Sequence, residues 1–140
     1  MALTGTWSTL LLPLFLLGAG LALANKHPWD EQNDRFLLRH WNYPRSEAPN
    51  GTYCQAMMQR RDLSGQDSNT FIHAPAGSIN SICSLGGRPG LPNQRRSVAP
   101  FHLTLCALNA TSHAYTETRY HRRVVLACWR GLPVDYVKHI

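Results

Sequence analysis

Four cysteines stand behind a leader that sends a chain out of the cytosol, and this combination narrows the fold before any periodicity is considered. Leu10 to Ala24 reads LLLPLFLLGAGLALA, apolar and uncharged, and it closes on Ala22-Leu23-Ala24. A small-residue A-x-A ending after such a run is the mark of a secretory signal peptide. The run is shorter than the roughly twenty residues that cross a bilayer, so residues 1–24 are read as a signal peptide rather than an anchor. No later segment is apolar enough to span. Removing 24 residues from 140 leaves 116, enough for one domain, residues 25–140, with a modest core. Outside the cell an even count of cysteines predicts bridges, so Cys54, Cys83, Cys106 and Cys128 are expected in two disulfides. Their wide spacing, with no C-x-x-C, argues against zinc. Neither a metal nor a cofactor is expected. Three pairings remain open at this point. Any long bridge stabilises by roughly 4 kcal/mol in the chain-entropy model.

Helical patterns come early and β-rich runs late. Asp34 to Trp41 (DRFLLRHW) predicts a short helix capped by Asp34, with Phe36, Leu37 and His40 at helical spacing. Tyr43 to Thr52 is loop, Tyr53 to Arg61 a second helix, and Asp62 to Ser68 a turn. Asn69 to Ala74 is β-prone, and Gly77 to Cys83 is a third short helix or turn. Leu85 to Gln94 (LGGRPGLPNQ) is a Gly/Pro-rich excursion. Strands follow at Ser97 to Leu108, Ala114 to Tyr120, Arg122 to Trp129 and Pro133 to Val137. This order predicts an α+β domain with an antiparallel sheet.

The leader holds no charge, so the mature chain carries the full +6, and twelve of its fourteen cations are arginine. Arginine forks suit phosphate and sulfate. An excess of this size points to a polyanion such as RNA, heparan sulfate or an anionic membrane. Arg60-Arg61, Arg95-Arg96 and Arg122-Arg123 are the candidate binding surface, although short charge runs also describe ordinary solvated faces. Asn50-Gly51-Thr52 and Asn109-Ala110-Thr111 are N-glycosylation sequons in polar stretches.

Asn69-Thr70-Phe71-Ile72-His73 resembles the second half of the signature C-K-x-x-N-T-F of the pancreatic-type ribonucleases, the ribonuclease A superfamily. Other landmarks fall in the family's order. Phe36-Leu37-Leu38-Arg39-His40 resembles its first helix, Tyr53-Cys54-Gln55-Ala56-Met57-Met58 its second, and Ser78 to Cys83 its third. Phe101 to Cys106 and Val124 to Cys128 resemble its central strands. Gly131-Leu132-Pro133-Val134 resembles the last strand in angiogenin-like form. The resemblance implies three short helices packed on a curved antiparallel sheet, with bridges Cys54–Cys106 and Cys83–Cys128. Gly65 stands in the signature's cysteine slot, and residues 107–127 contain no cysteine to partner it. Both halves of one family bridge are therefore missing together.

Cleavage in this family needs a base for the 2′-hydroxyl, an acid for the leaving 5′-oxygen and a cation for phosphorane charge. The resemblance puts His40 in the base slot, Gln66 in the lysine slot and Asp135 in the acid slot. Glutamine carries no charge, and losing an electrostatic stabiliser costs on the order of 3 kcal/mol. An ionised carboxylate donates no proton and repels phosphate, and losing general acid catalysis costs roughly 10²- to 10⁴-fold. A basic site argues against an Asp135 kept neutral by burial. Two relocated acids are on offer, His139 and His121. Thr70, with Asn69 beside it, stands where the family reads a pyrimidine base, and His73 has a structural role there. The expectation is a secreted, noncatalytic, monomeric member that acts by binding a polyanion (RNA or heparan sulfate) or a cell-surface receptor or microbial envelope. Host defence and reproduction are the settings the resemblance implies. The rival is a weak secreted endoribonuclease using His40 with a relocated acid.

Overall fold

The computed structural model describes residues 28–140; the signal-peptide prediction lies outside the described residues. Helix α1 runs Pro28–His40, longer than the sequence reading. Asp34 is therefore an interior residue, not its cap. The reason is electrostatic as well as local: Asp30 and Glu31 stand in the first turn, Arg39 and His40 in the last, complementing the helix dipole. Trp41 leaves the helix and bridges Ile72 in parallel. Helix α2, Tyr53–Arg60, buries Tyr53, Cys54, Met57 and Met58 on one face. Helix α3 covers Ala76–Asn80 and runs into a 3-10 turn over Ser81–Cys83.

Seven strands follow: β1 Ser68–His73, β2 Gly87–Pro89, β3 Gln94–Ser97, β4 Phe101–Leu108, β5 Tyr115–Arg122, β6 Val124–Trp129 and β7 Leu132–His139. They form two antiparallel sheets, β1-β4-β5 and β2-β3-β6-β7. The Gly/Pro-rich excursion is largely a hairpin, β2 against β3. Gly87 is what permits it. A Cβ there would lie 2.0 Å from the Ile82 carbonyl oxygen, far inside contact distance. The long run read from Ser97 is split at Ala99-Pro100, so Ser97 ends β3 and β4 begins at Phe101. The last strand is longer than Pro133 to Val137 because its pairing with β6 continues to Val124 opposite His139, across two register shifts.

Two cores hold the layers together. Phe36, Ile72, Ile79, Ile82, Leu103, Val124 and Leu126 pack beneath α1 and α3. Tyr53, Met57, Met58, Leu63, Phe71 and Tyr115 pack beneath α2. The bridges are Cys54–Cys106, tying α2 to β4, and Cys83–Cys128, tying the 3-10 turn to β6. These are the pairings the resemblance implies.

Candidate functional site

A cleft of about 460 Å³ opens where the end of α1, the start of β1 and the length of β7 meet. Its lining contains His40, Gln66, Asn69, Thr70 and Asp135. The fold thus gathers around His40 residues that lie 26 to 95 positions after it in sequence. His40 is 8% exposed. Its Nδ1 donates to the Thr70 carbonyl oxygen at 2.8 Å, which leaves Nε2 as the nitrogen free to take a proton. Its ring lies between Phe36 and Tyr136, at centroid distances of 5.2 and 5.4 Å. Burial pulls its pKa below the usual 6.5, and the nearby Arg39 acts in the same direction. The Thr70 carbonyl and Asp135 oppose the shift without cancelling it. A neutral, tautomerically fixed imidazole is the form a general base requires.

Asp135 is exposed on β7, opposite Ala127. One of its carboxylate oxygens accepts from the backbone N–H of Tyr136 at 2.9 Å. Gln66 is exposed in the turn between α2 and β1. Neither disulfide reaches that turn, which is held by a phenol. The Tyr115 hydroxyl sits among the carbonyl oxygens of Leu63, Ser64 and Gln66. Asn69 donates to the Arg39 carbonyl at 2.8 Å, which secures the last turn of α1. Burial pushes the pKa of the Tyr136 hydroxyl up to about 12, and the Thr70 side chain opposes the shift. Of the two base-reading candidates, the Asn69 side chain thus has a partner within the protein, and Thr70 offers its carbonyl to His40.

The same cleft is lined by Arg39, Lys138 and His139; of these, the sequence singles out His139 alone, as a relocated acid. A smaller hollow of about 190 Å³ continues past Asp135 and adds Arg35. The signal for Arg39 was present, since it adjoins His40, but helix adjacency alone does not say which neighbour shares a face. Lys138 was hidden by the register shifts of β7. The two relocated acids separate cleanly. His139 is at the cleft, with Nδ1 3.4 Å from the Tyr136 hydroxyl. His121 stacks on His102 at 4.2 Å and lines a different hollow.

The arginine pairs do not act as pairs. Arg61 donates to the carbonyls of Leu37, Leu38 and Trp41 and closes the end of α1. Arg95 donates to the carbonyls of Ile82, Ser84 and Gly87. Arg60 is exposed and reaches only the Met57 sulfur. Arg96, Arg122 and Arg123 are exposed. His73 is built into the interior: Nδ1 donates to the Asn42 carbonyl at 2.7 Å, and Nε2 lies 2.7 Å from the Thr104 hydroxyl. Among the described residues no three His, Cys, Asp or Glu side chains gather as metal ligands.

The sequence pattern described as pancreatic ribonuclease matches residues 31–137. The chain belongs to the pancreatic ribonuclease family. It is 42% identical over 115 residues to a ribonuclease of Chelydra serpentina, covering 76% of this chain and 97% of that one. It is 38% identical over 132 residues to the angiogenin of Papio hamadryas, covering 89% and 90%. The crystal structure of green turtle egg white ribonuclease superposes with a TM-score of 0.74 at 42% identity, over 78% of this chain and 98% of that one.

Proposed function

We propose that this is a secreted ribonuclease-family protein without significant ribonuclease activity, which acts by holding a polyanion rather than cutting it. The observation that carries the reading is the composition of one cleft. His40 faces a carboxylate at position 135 and an amide at position 66, while Arg39 and Lys138 keep the space cationic. Such a site attracts a phosphodiester and can accept the 2′-hydroxyl proton. It has no imidazole in the acid slot to protonate the 5′-oxygen. A leaving alkoxide without an acid is expelled slowly, which is the loss of roughly 10²- to 10⁴-fold cited for general acid catalysis. Secretion is supported by the leader at residues 1–24 and by two sequons at exposed asparagines, Asn50 and Asn109. The monomeric state, and a role in host defence or reproduction through a cell-surface or microbial partner, belong to the same proposal.

The test is cleavage of tRNA by refolded Asn25–Ile140 together with binding of a 2′-O-methyl oligonucleotide, which cannot be cut. Binding that falls in an Arg39→Ala/Lys138→Ala variant, with no turnover, supports the reading. Turnover that disappears in His40→Ala replaces it with the weak endoribonuclease. One observation favours that second reading, namely His139 on the lining of the cleft. Its signature would be activity lost in His139→Ala as well as in His40→Ala.

A further inference from the structure

A second basic surface shares no lining residue with the cleft. Arg88 on β2 and Arg96 on β3 are directly opposite each other in the antiparallel register. Like charges so placed destabilise a hairpin. Arg123 joins them around a hollow of about 240 Å³, with Ser97 and Val98. It also lines an adjoining hollow of about 300 Å³ with His121 and Arg122. Neither lining contains Asp or Glu. All four arginines are exposed, and among the described residues their guanidinium groups have no ion pair or hydrogen bond. The contrast with the other arginines is informative. Arg61 and Arg95 are occupied by backbone carbonyls, and Arg45 and Arg119 share Glu117. Among the described residues, this is where several guanidinium groups gather around hollows with no Asp or Glu in the lining.

The scaffold beneath them is hydrogen-bonded backbone. The Ser97 hydroxyl accepts from the Val124 N–H at 3.0 Å, and the Arg123 carbonyl accepts from the Ile140 N–H at 2.8 Å. Arg96 is paired with Val125 across β3 and β6. The geometry points to a binding site for a linear sulfated polysaccharide. Guanidinium forks take sulfate in two parallel hydrogen bonds, and two hollows that share Arg123 suit consecutive anions along one chain. Single-stranded nucleic acid fits less well, because its bases stack on exposed aromatic rings. Neither lining has Phe, Tyr or Trp, and the one imidazole, His121, already stacks on His102. This inference names one polyanion and its own surface, and it stands whether or not the cleft binds RNA.

The experiment titrates the mature chain with heparin, chemically desulfated heparin and a 2′-O-methyl oligonucleotide at several salt concentrations. The variants are Arg88→Ala/Arg96→Ala/Arg123→Ala and, separately, Arg39→Ala/Lys138→Ala. Heparin affinity is expected to fall at least tenfold in the triple variant. The slope of log affinity against log salt should become shallower by roughly one for each arginine removed, by analogy with phosphate contacts. Desulfated heparin should not bind, and the cleft variant should keep its heparin affinity. Thermal stability of the triple variant should hold or rise, since it loses only repulsion, so misfolding is recognised at once. Unchanged heparin binding by a folded triple variant overturns the inference, as does heparin loss confined to the cleft variant. Oligonucleotide binding that depends on the three arginines more than heparin binding does would reassign the surface to nucleic acid. Failure of the cleft proposal would appear as tRNA turnover, or as oligonucleotide binding unchanged in the cleft variant, and neither result alters the heparin comparison.

Discussion

Gln66→Lys combined with Asp135→His should turn this protein into a measurable ribonuclease. Asp135 is exposed on β7, so an imidazole is accommodated there without disturbing either core. It would enter a cleft where the Thr70 carbonyl already fixes the tautomer of His40. Restoring a general acid is worth roughly 10²- to 10⁴-fold, or about 2.7 to 5.4 kcal/mol at 1.36 kcal/mol per factor of ten. The lysine should add less than the approximately 3 kcal/mol of an ideally placed stabiliser. The cleft already contains Arg39 and Lys138, and part of the stabilisation is thus present. A gain of about tenfold is reasonable for that change. Multiplied together, the two gains set a ceiling of about 10³- to 10⁵-fold over wild type, and because groups in one mechanism do not act additively the double variant should fall below it while keeping at least the roughly 10²-fold of the restored acid. The assay is cleavage of a fluorophore-quenched dinucleotide or of tRNA, with His40→Ala added to the double variant as control. Exposed substitutions of this kind usually shift stability by no more than about 0.5 kcal/mol, so an unchanged melting curve verifies the scaffold. Two results would refute the reasoning: a folded double variant that stays silent, or a wild type that already matches it.

Arg61→Ala should cost about 2 kcal/mol, because three carbonyls at the end of α1 lose a charged donor; the melting temperature should drop by roughly 5–10 °C, whereas Arg60→Ala should leave it in place. Cys54→Ala/Cys106→Ala opens a bridge spanning 52 residues and should remove about 4 kcal/mol by the chain-entropy relation; a loss under about 1 kcal/mol in denaturant titration would show that relation inapplicable here. Burial holds the pKa values of both His40 and His73 below 6.5. The unfolded chain therefore takes up protons first as pH falls, so stability is complete above pH 6.5 and declines below it, until the folded values are passed. The slope in that window approaches about 1.4 kcal/mol per pH unit for each histidine, and melting temperatures that stay flat or rise between pH 7 and 5 would contradict it. Enzymatic removal of N-glycans from protein secreted by animal cells should increase mobility in two steps, one abolished by Asn50→Gln and the other by Asn109→Gln.

Much was readable without coordinates. The cysteines fell into the pairs implied by the resemblance, and three widely separated residues, His40, Gln66 and Asp135, were assigned to one site and share one cleft. These properties belong to ordered motifs, and order along the chain survives in sequence. The start of α1 was misplaced by six residues because Asp34 is as good a cap as any, while the acidic first turn at Asp30 and Glu31 decided the matter. The β2–β3 hairpin was missed because glycine and proline mark turns, and only the approach of Gly87 to the Ile82 carbonyl shows why a strand needs glycine there.

The arginines mark the boundary most clearly. Sequence alone determined that the chain is cationic and that most of its cations are guanidinium groups. Tertiary structure alone decided which of those guanidinium groups are free. Neighbouring side chains on a strand point to opposite faces, so Arg95 turns to backbone carbonyls while Arg96 turns to Arg88 and Arg123. Adjacency in sequence records charge. Whether that charge is already satisfied depends on carbonyls and strands that only folding brings near.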